Sequence, residues 1–280
     1  MREFIRQYAK NRSAVVGFFI VMVLLIMAIF APFIAPYLPI EQNLANRLIP
    51  PMWEENGVAS HILGTDDFGR DLFSRIIYGA RISLMVGAVS VGMSLTFGLI
   101  MGLVAAFYGG KVDLFIMRIV DIMLSIPAIL LAIVVVSILG PSLINAMIAI
   151  GIVGIPTYAR VVRASVLAEK EKEYVIASRI NGSSNMRLMF KVILPNAASP
   201  IIVQSTMGFA SAVLESAGLS FLGLGAQPPT PEWGAMLSDS LQFIMTAPWM
   251  IFYPGLAIFF TVLGFNLMGD GLMDVLDPKL

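Results

Sequence analysis

Residues 169–196, EKEKEYVIASRINGSSNMRLMFKVILPN, decide how the chain is read. They form the longest charge-rich segment of a chain that is otherwise mostly apolar, and long apolar runs flank them on both sides. A segment so placed hangs in water between two membrane spans. Its pattern predicts two short helices with a break between them. Residues 168–180 are good helix formers, with Glu173 among the charges and Tyr174, Val175, Ala177 and Ser178 interrupting the charged surface. Asn181-Gly182 is a stop, because glycine accepts the left-handed conformation that closes a helix. Ser183 and Ser184 are cap residues for the second helix, which Leu194-Pro195 ends at the membrane. An apolar strip framed by charge on a rigid loop has the shape of something that docks into a partner's groove. The plainer alternative is a solvated loop whose Lys and Arg fix topology.

Composition sets the class around this loop. Of 280 residues, 58% are hydrophobic and 13% charged, with mean hydropathy +0.86, whereas a soluble domain carries roughly 25% charged residues. Several uncharged runs exceed the roughly 18 residues needed to cross a hydrocarbon core about 30 Å thick. The expected fold is an all-α polytopic membrane protein embedded in the lipid bilayer. A β-barrel would alternate rather than run continuously apolar. With no cysteine and a single histidine, His61, the chain has no disulfide framework, no thiolate metal site and no catalytic triad. Gly110-Lys111 lacks the flanking residues of a nucleotide-binding loop. Net charge +0 gives no sign of nucleic-acid binding.

Six spans are expected. A basic N-terminal arm, 1–13, carries Arg2, Arg6, Lys10 and Arg12. The uncharged run after it is longer than the roughly 7–15 residues of a cleaved signal core, so it is read as a first span at 14–36. An external loop follows at 37–83. Within it, 69–83 (GRDLFSRIIYGARIS) reads as an amphipathic interfacial helix, with Leu72, Phe73, Ile76 and Ile77 on one side and Arg70, Ser74 and Arg81 on the other. The core, 84–280, holds spans at 84–107, 114–138, 143–163, 197–221 and 248–269, with the polar loop at 164–196. Ridges of small residues (Ser90, Ser94, Gly98, Gly102, Ala106, and again Gly208, Ala212, Ser216, Ser220) allow close helix packing. Pro127 breaks the third span, where Arg118 and Asp121 lie on one helix face and read as a structural pair. Glu215 is an acid with no base in its span; it is protonated, paired across helices, or lining a path for a substrate amine. Residues 223–247 read as a partly re-entrant or interfacial helix on the outer side, begun by Thr230-Pro231, and 270–280 as a short acidic tail. The arm has four Lys or Arg, residues 160–191 have seven, and the last outer loop none. Positive-inside topology therefore places both termini and the polar loop in the cytoplasm.

Residues 173–195 resemble the cytoplasmic EAA loop of ABC-importer permeases, whose pattern is Glu-Ala-Ala, three residues, Gly, nine residues, Ile-x-Leu-Pro. Ala177, Ser178, Gly182, Val192, Leu194 and Pro195 occupy that frame, while Ile176 stands where the family has Glu and Ser178 where it has its second Ala. Glu173-Tyr174-Val175 is similar to the peptide-importer version of the loop. Residues 61–71 (HILGTDDFGRD) and 219–234 (LSFLGLGAQPPTPEWG) resemble outer signatures of dipeptide, oligopeptide and nickel permeases, and 266–271 with Asp277-Pro278 fits the same group. The resemblance covers nearly the whole chain and is nearest the C-type subunit of dipeptide importers. It implies the type I importer permease fold and a non-catalytic subunit of the inner (plasma) membrane. The expected partners are a second homologous permease, two cytoplasmic ATPases and an external binding protein that delivers di- or oligopeptides. ATP and Mg would be bound by the ATPases, with no cofactor or metal in this chain. The residues implied to meet the ATPase are Glu173, Tyr174, Val175, Ala177, Ser178, Gly182, Ser183, Leu194 and Pro195; Glu215 and Asp121 are the pathway candidates. The alternative substrates are nickel or another small solute. A stand-alone secondary transporter would need coupling-ion sites beyond these two acids.

Overall fold

A computed structural model describes residues 6–276; Arg2 and Asp277-Pro278 of the reading lie outside the described residues. The first long helix, α1 (Arg12–Ile29), starts where Asn11 accepts from the Ser13 and Ala14 amides at 3.1 and 3.3 Å, satisfying two orphan donors. It ends at Phe30, and a single helical turn, Ala31–Ile34, carries Pro32 in its first positions.

The next helix departs from expectation. α2 (Leu72–Tyr108) is one helix of 37 residues, about 55 Å long at 1.5 Å per residue and so far longer than the hydrocarbon core. Residues 69–83 do not make a separate interfacial helix; from Leu72 onward they are its first turns. Nothing between Ser83 and Ser90 interrupts the backbone. Leu72, Ile76 and Ile77 of the predicted apolar side are buried, and so are Arg70 and Ser74 of the predicted polar side, with Arg75 beside them, whereas Arg81 is exposed as expected. At the start of the helix charge hides inside a cap instead of facing water.

That cap is built by residues 35–71. Asp66 accepts from the Phe68 and Arg70 amides at 2.9 Å and from Arg70 Nε at 2.6 Å, and Arg75 Nε lies 3.5 Å away. His61 Nδ1 meets Asp71 Oδ1 at 2.9 Å. The other oxygen of Asp71 caps α2 through the Ser74 amide at 2.8 Å. One indole fastens the cap to a helix, Trp249 Nε1 donating to Thr65 O at 3.2 Å, and a second, Trp233 Nε1, donates to Ile76 O of α2 at 3.1 Å.

Pro127 does more than kink the third span. α3 (Gly110–Leu124) and α4 (Ala128–Leu139) meet at 91°, because proline lacks an N–H and forces the preceding residue out of helical geometry. α5 (Leu143–Lys170) is capped by Ser142 and keeps Pro156 inside it. After the short α6 (Glu173–Ile180) and α7 (Asn185–Asn196), the chain turns 66° into α8 (Ala198–Phe221). The helix α9 (Trp233–Ser240) starts two residues later than predicted, capped by Glu232, which accepts from the Ala235 amide at 2.8 Å. The last helix, α10 (Trp249–Leu276), holds Pro254 and continues through the first residues of the expected acidic tail. Among the described residues four helices are long and apolar enough to cross a membrane, and the two bent pairs bring the number to as many as six.

The small-residue ridge of α2 packs on α5. Ser90 and Ser94 hydroxyls donate to Met147 O (3.0 Å) and Gly151 O (2.7 Å). A Cβ at Gly102 would stand 2.5–3.0 Å from Ala159, Val162 and Arg163 atoms. Close approach is what small residues contribute in lipid, where packing and not hydrophobicity drives association.

Candidate coupling loop and the acids of the spans

α5 hands the chain directly to the polar loop. Lys170 Nζ, at the end of α5, donates to Ala106 O at the end of α2 at 3.0 Å. Val175 of α6 is fully buried with Leu103 and Phe107 of α2, Val162 and Val166 of α5, and Leu188, Met189 and Ile193 of α7. Ile201 at the start of α8 joins the same cluster, so the two loop helices share one core with the ends of three long helices. The loop is a rigid extension of the bundle.

Its turn is set by hydrogen bonds. The Ser183 amide donates to Ser178 O at 3.2 Å and the Gly182 amide to Arg179 O at 3.0 Å, the paired bonds of a Schellman close with glycine in the left-handed position. Gly182 has φ +79°. Ser184 caps α7, accepting from the Arg187 amide at 3.4 Å. Ser183 instead meets Ser178, hydroxyl to hydroxyl, at 3.0 Å, so one of the two predicted cap serines caps and the other braces. Leu194 and Pro195 lie in the last turn of α7, after the wider π-helical turns of Leu188–Ile193. Tyr174 donates to Glu169 Oε2 at 2.5 Å, and Lys172 Nζ holds the other oxygen at 2.6 Å. Burial first, then that hydrogen bond and the charge of Glu169, push the Tyr174 hydroxyl up to about 12.

The residues implied for docking thus divide. Glu173, Tyr174 and Ala177 are exposed, Val175 belongs to the core, and Gly182 stands at an open turn. The resemblance missed the apolar side chains beside them. Ile180 is 80% and Met186 63% exposed, with Ile176 and Phe190 also largely uncovered. The signal was present: Ile176 and Ile180 are one turn apart on a charged segment, the spacing of neighbours on a helix surface.

The acids of the spans resolve differently from expectation. Asp121 pairs not with Arg118 but with Arg160 of α5, Nη2 to Oδ1 at 2.7 Å. A residue facing from another helix offers a better line than one three positions along the same helix. A second pair, Arg163 with Asp113, was not anticipated. Its Nε–Oδ1 and Nη2–Oδ2 distances are both 2.6 Å. Glu215 is half-buried on α8 and makes no ion pair or hydrogen bond with the described residues. One turn on, Gly218 faces open space. Among the described residues no group of three or more His, Asp or Glu is placed to hold a metal ion.

A bundle of bilayer-length helices that shares its core with a polar loop at one end is the architecture of an integral membrane subunit. The chain belongs to the family of binding-protein-dependent transport system inner membrane components, whose model matches residues 94–280. Residues 1–51 match the N-terminal TM domain of oligopeptide transport permease C. It is 55% identical to the dipeptide transport system permease protein DppC of Escherichia coli K12, over all of this chain and 93% of that one. It is 52% identical to the Haemophilus influenzae protein of the same name, over all of this chain and 95% of that one. Its fold is similar to a chain of the inward-facing MetNI methionine ABC transporter, with TM-score 0.61 and 22% identity over 72% of this chain and 96% of that one. The chain is therefore a permease subunit and not an enzyme.

Proposed function

We propose that this permease forms half of the path by which an ATP-driven importer takes di- or oligopeptides inward. A second, homologous permease completes the path, an external binding protein delivers the peptide, and two cytoplasmic ATPases bind ATP and Mg and grip the loop of residues 164–196. Both termini and the loop face the cytoplasm. The peptide assignment follows the dipeptide permeases to which the chain is similar.

One observation carries the reading: the loop buries Val175 in the bundle while leaving Ile176, Ile180 and Met186 uncovered. Lipid does not cover a water-side loop, so protein does. Glu173, Tyr174 and Ala177 flank this surface and touch the ATPase, with Ser178, Ser183 and Gly182 fixing its shape and Leu194-Pro195 joining it to the membrane. ATP-driven closure of the ATPases moves the loop, and α5 and α2 follow because they share its core. Of the two pathway acids, Asp121 is engaged by Arg160, which leaves Glu215 to face the peptide.

The chain has no cysteine, so a single Cys can be placed cleanly. Ile180→Cys should cross-link to the ATPase in the assembled importer and be labelled only from the cytoplasmic side. Val175→Cys, buried, should do neither. Labelling of Ile180→Cys from outside, or peptide uptake needing no ATPase, would overturn the reading.

A further inference from the structure

α3 has little apolar packing of its own. Of its 15 residues only Val120 is buried in this chain, and Leu114, Phe115 and Ile122 are exposed. What ties it to α5 is charge. Arg163 grips Asp113 at two points, both 2.6 Å, and Arg160 reaches Asp121 at 2.7 Å. The first pair is the sheltered one, with side chains 34% and 20% exposed; in the second they are 54% and 51% exposed. From these arginines α5 runs unbroken to Lys170 and the loop. From these aspartates α3 runs to the 91° turn into α4.

We propose that Asp113 and Arg163 are positioning residues that carry the movement of the coupling loop into α3, with Asp121 and Arg160 as a weaker second strut. The proposal rests on the importer reading above. A push on α6 reaches α5 through their common core. α3 follows α5 only if something fastens it, and a smooth apolar face does not. A two-point arginine–carboxylate contact is directional as well as strong, so it resists sliding along the helix where dispersion contacts would not. Without it α3 is held only by its link and packing to α2 and, beyond the bend, by Ala132 and Val136 of α4 against α5, and it follows the inner end of α5 less closely.

The test uses the complete importer in proteoliposomes and reads peptide taken up per ATP hydrolysed. Asp113→Asn should keep ATP hydrolysis stimulated by the binding protein and lower that ratio about fivefold, the scale of one partly exposed charge-assisted pair. Exchanging the charges, Asp113→Arg with Arg163→Asp, should restore most of it, which a merely local packing role would not. A wild-type ratio in Asp113→Asn overturns the proposal, as does an exchange variant no better than the single one. Should the neutral variant fail to assemble, Arg163→Lys keeps the charge but loses the two-point grip, and wild-type coupling there overturns the proposal equally. Absence of ATP-dependent peptide uptake in the wild-type complex would instead refute the assignment of function.

Discussion

Gly182 allows backbone strain and partner contact to be separated. Its φ of +79° closes α6, and any L side chain held there costs about 1–2 kcal/mol. No atom lies within 4 Å of where a Cβ would sit, so alanine and tryptophan carry the same backbone penalty and both leave the turn without a clash at Cβ. That penalty is smaller than what holds the loop. Val175, Leu188 and Ile193 are fully buried, and burial of such side chains is worth about 1.5–3 kcal/mol each. Both Gly182→Ala and Gly182→Trp should therefore insert and melt together, within about 2 kcal/mol of wild type. They should differ in the assembled importer. Alanine adds one methyl group to an open turn, whereas tryptophan adds a large ring two residues from Ile180, on the surface assigned to the ATPase. The ratio of peptide uptake to ATP hydrolysis should fall modestly with alanine and by a further factor of about ten or more with tryptophan, the effect of losing 1.4 kcal/mol or more of partner contact. Equal loss of coupling in the two variants would mean that strain alone acts and no groove receives this turn. Normal coupling with tryptophan would remove the loop from the interface altogether.

Tyr174 should keep its proton to about pH 12. Because its value is raised, the contribution of the Tyr174–Glu169 contact is complete below about pH 10, the free tyrosine value, and is lost as pH rises through 12. Phenolate absorbance of wild type minus Tyr174→Phe checks this, and a midpoint near 10 would contradict it. Asp66→Asn should unlock the outer cap, since Arg70 and Arg75 are both at most 4% exposed and removing one partner of a buried pair costs about 3–5 kcal/mol. A lower melting temperature and altered emission from Trp249, bonded to Thr65 of the cap, are expected; unchanged melting would show that the remaining Asp67 suffices. Glu215→Gln should raise the KM for a peptide with a free amino terminus about tenfold, the scale of one lost hydrogen bond to a charged group. It should leave an N-acetylated peptide unaffected. Equal effects on both peptides would make Glu215 a structural residue.

The existence of the spans was legible because apolar runs of bilayer length have few alternatives. Their shapes were less so. Of Pro127, Pro156 and Pro254, only Pro127 opens a right angle; Pro156 and Pro254 stay inside α5 and α10. The difference arises before the proline: the Ser125 amide already closes α3 onto Asp121 O and Ile122 O, and its hydroxyl donates to Ile122 O at 2.7 Å. The start of α2 was obscured because Arg75 and Ser74 look like a water-facing side when they face a folded cap. In the loop, the glycine stop and the Ser184 cap were readable, as they depend on neighbours in sequence. The ion pairs were not: Asp121 and Arg160 are 39 positions apart, and Asp113 and Arg163 are 50 apart, so only the arrangement of helices brings them together.

The two ends of the molecule solve opposite problems. In the cap, Asp66 engages Arg70 and Arg75 while Asp71 engages His61, all of them buried, and removing Asp66 leaves two charges stranded in a poor solvent. Such a knot tolerates little internal movement. At the other end, the loop's core is apolar and Ile176, Ile180 and Met186 stand exposed among its charges, so it is stiff within itself and, on the proposed function, completed by a covering protein. Movement imposed on that face would pass along α5, α2 and α8, the long helices that share its core. α2 and α8 both reach from this core toward the cap, and α2 is the one fastened there, its first turn capped by Asp71 and its last turns packed on Val175. If the cap stays fixed while the loop is driven, α2 must tilt about its capped end. The largest displacement then falls at the loop end of the bundle and the smallest beside the cap, and Glu215, six residues from the cap end of α8, lies in the quieter half. Paired spin labels on α2 near Tyr78 and near Ala105, each measured against α10, should show the second distance changing several-fold more than the first on ATP binding. Equal changes would mean that the cap moves with the bundle and is no anchor.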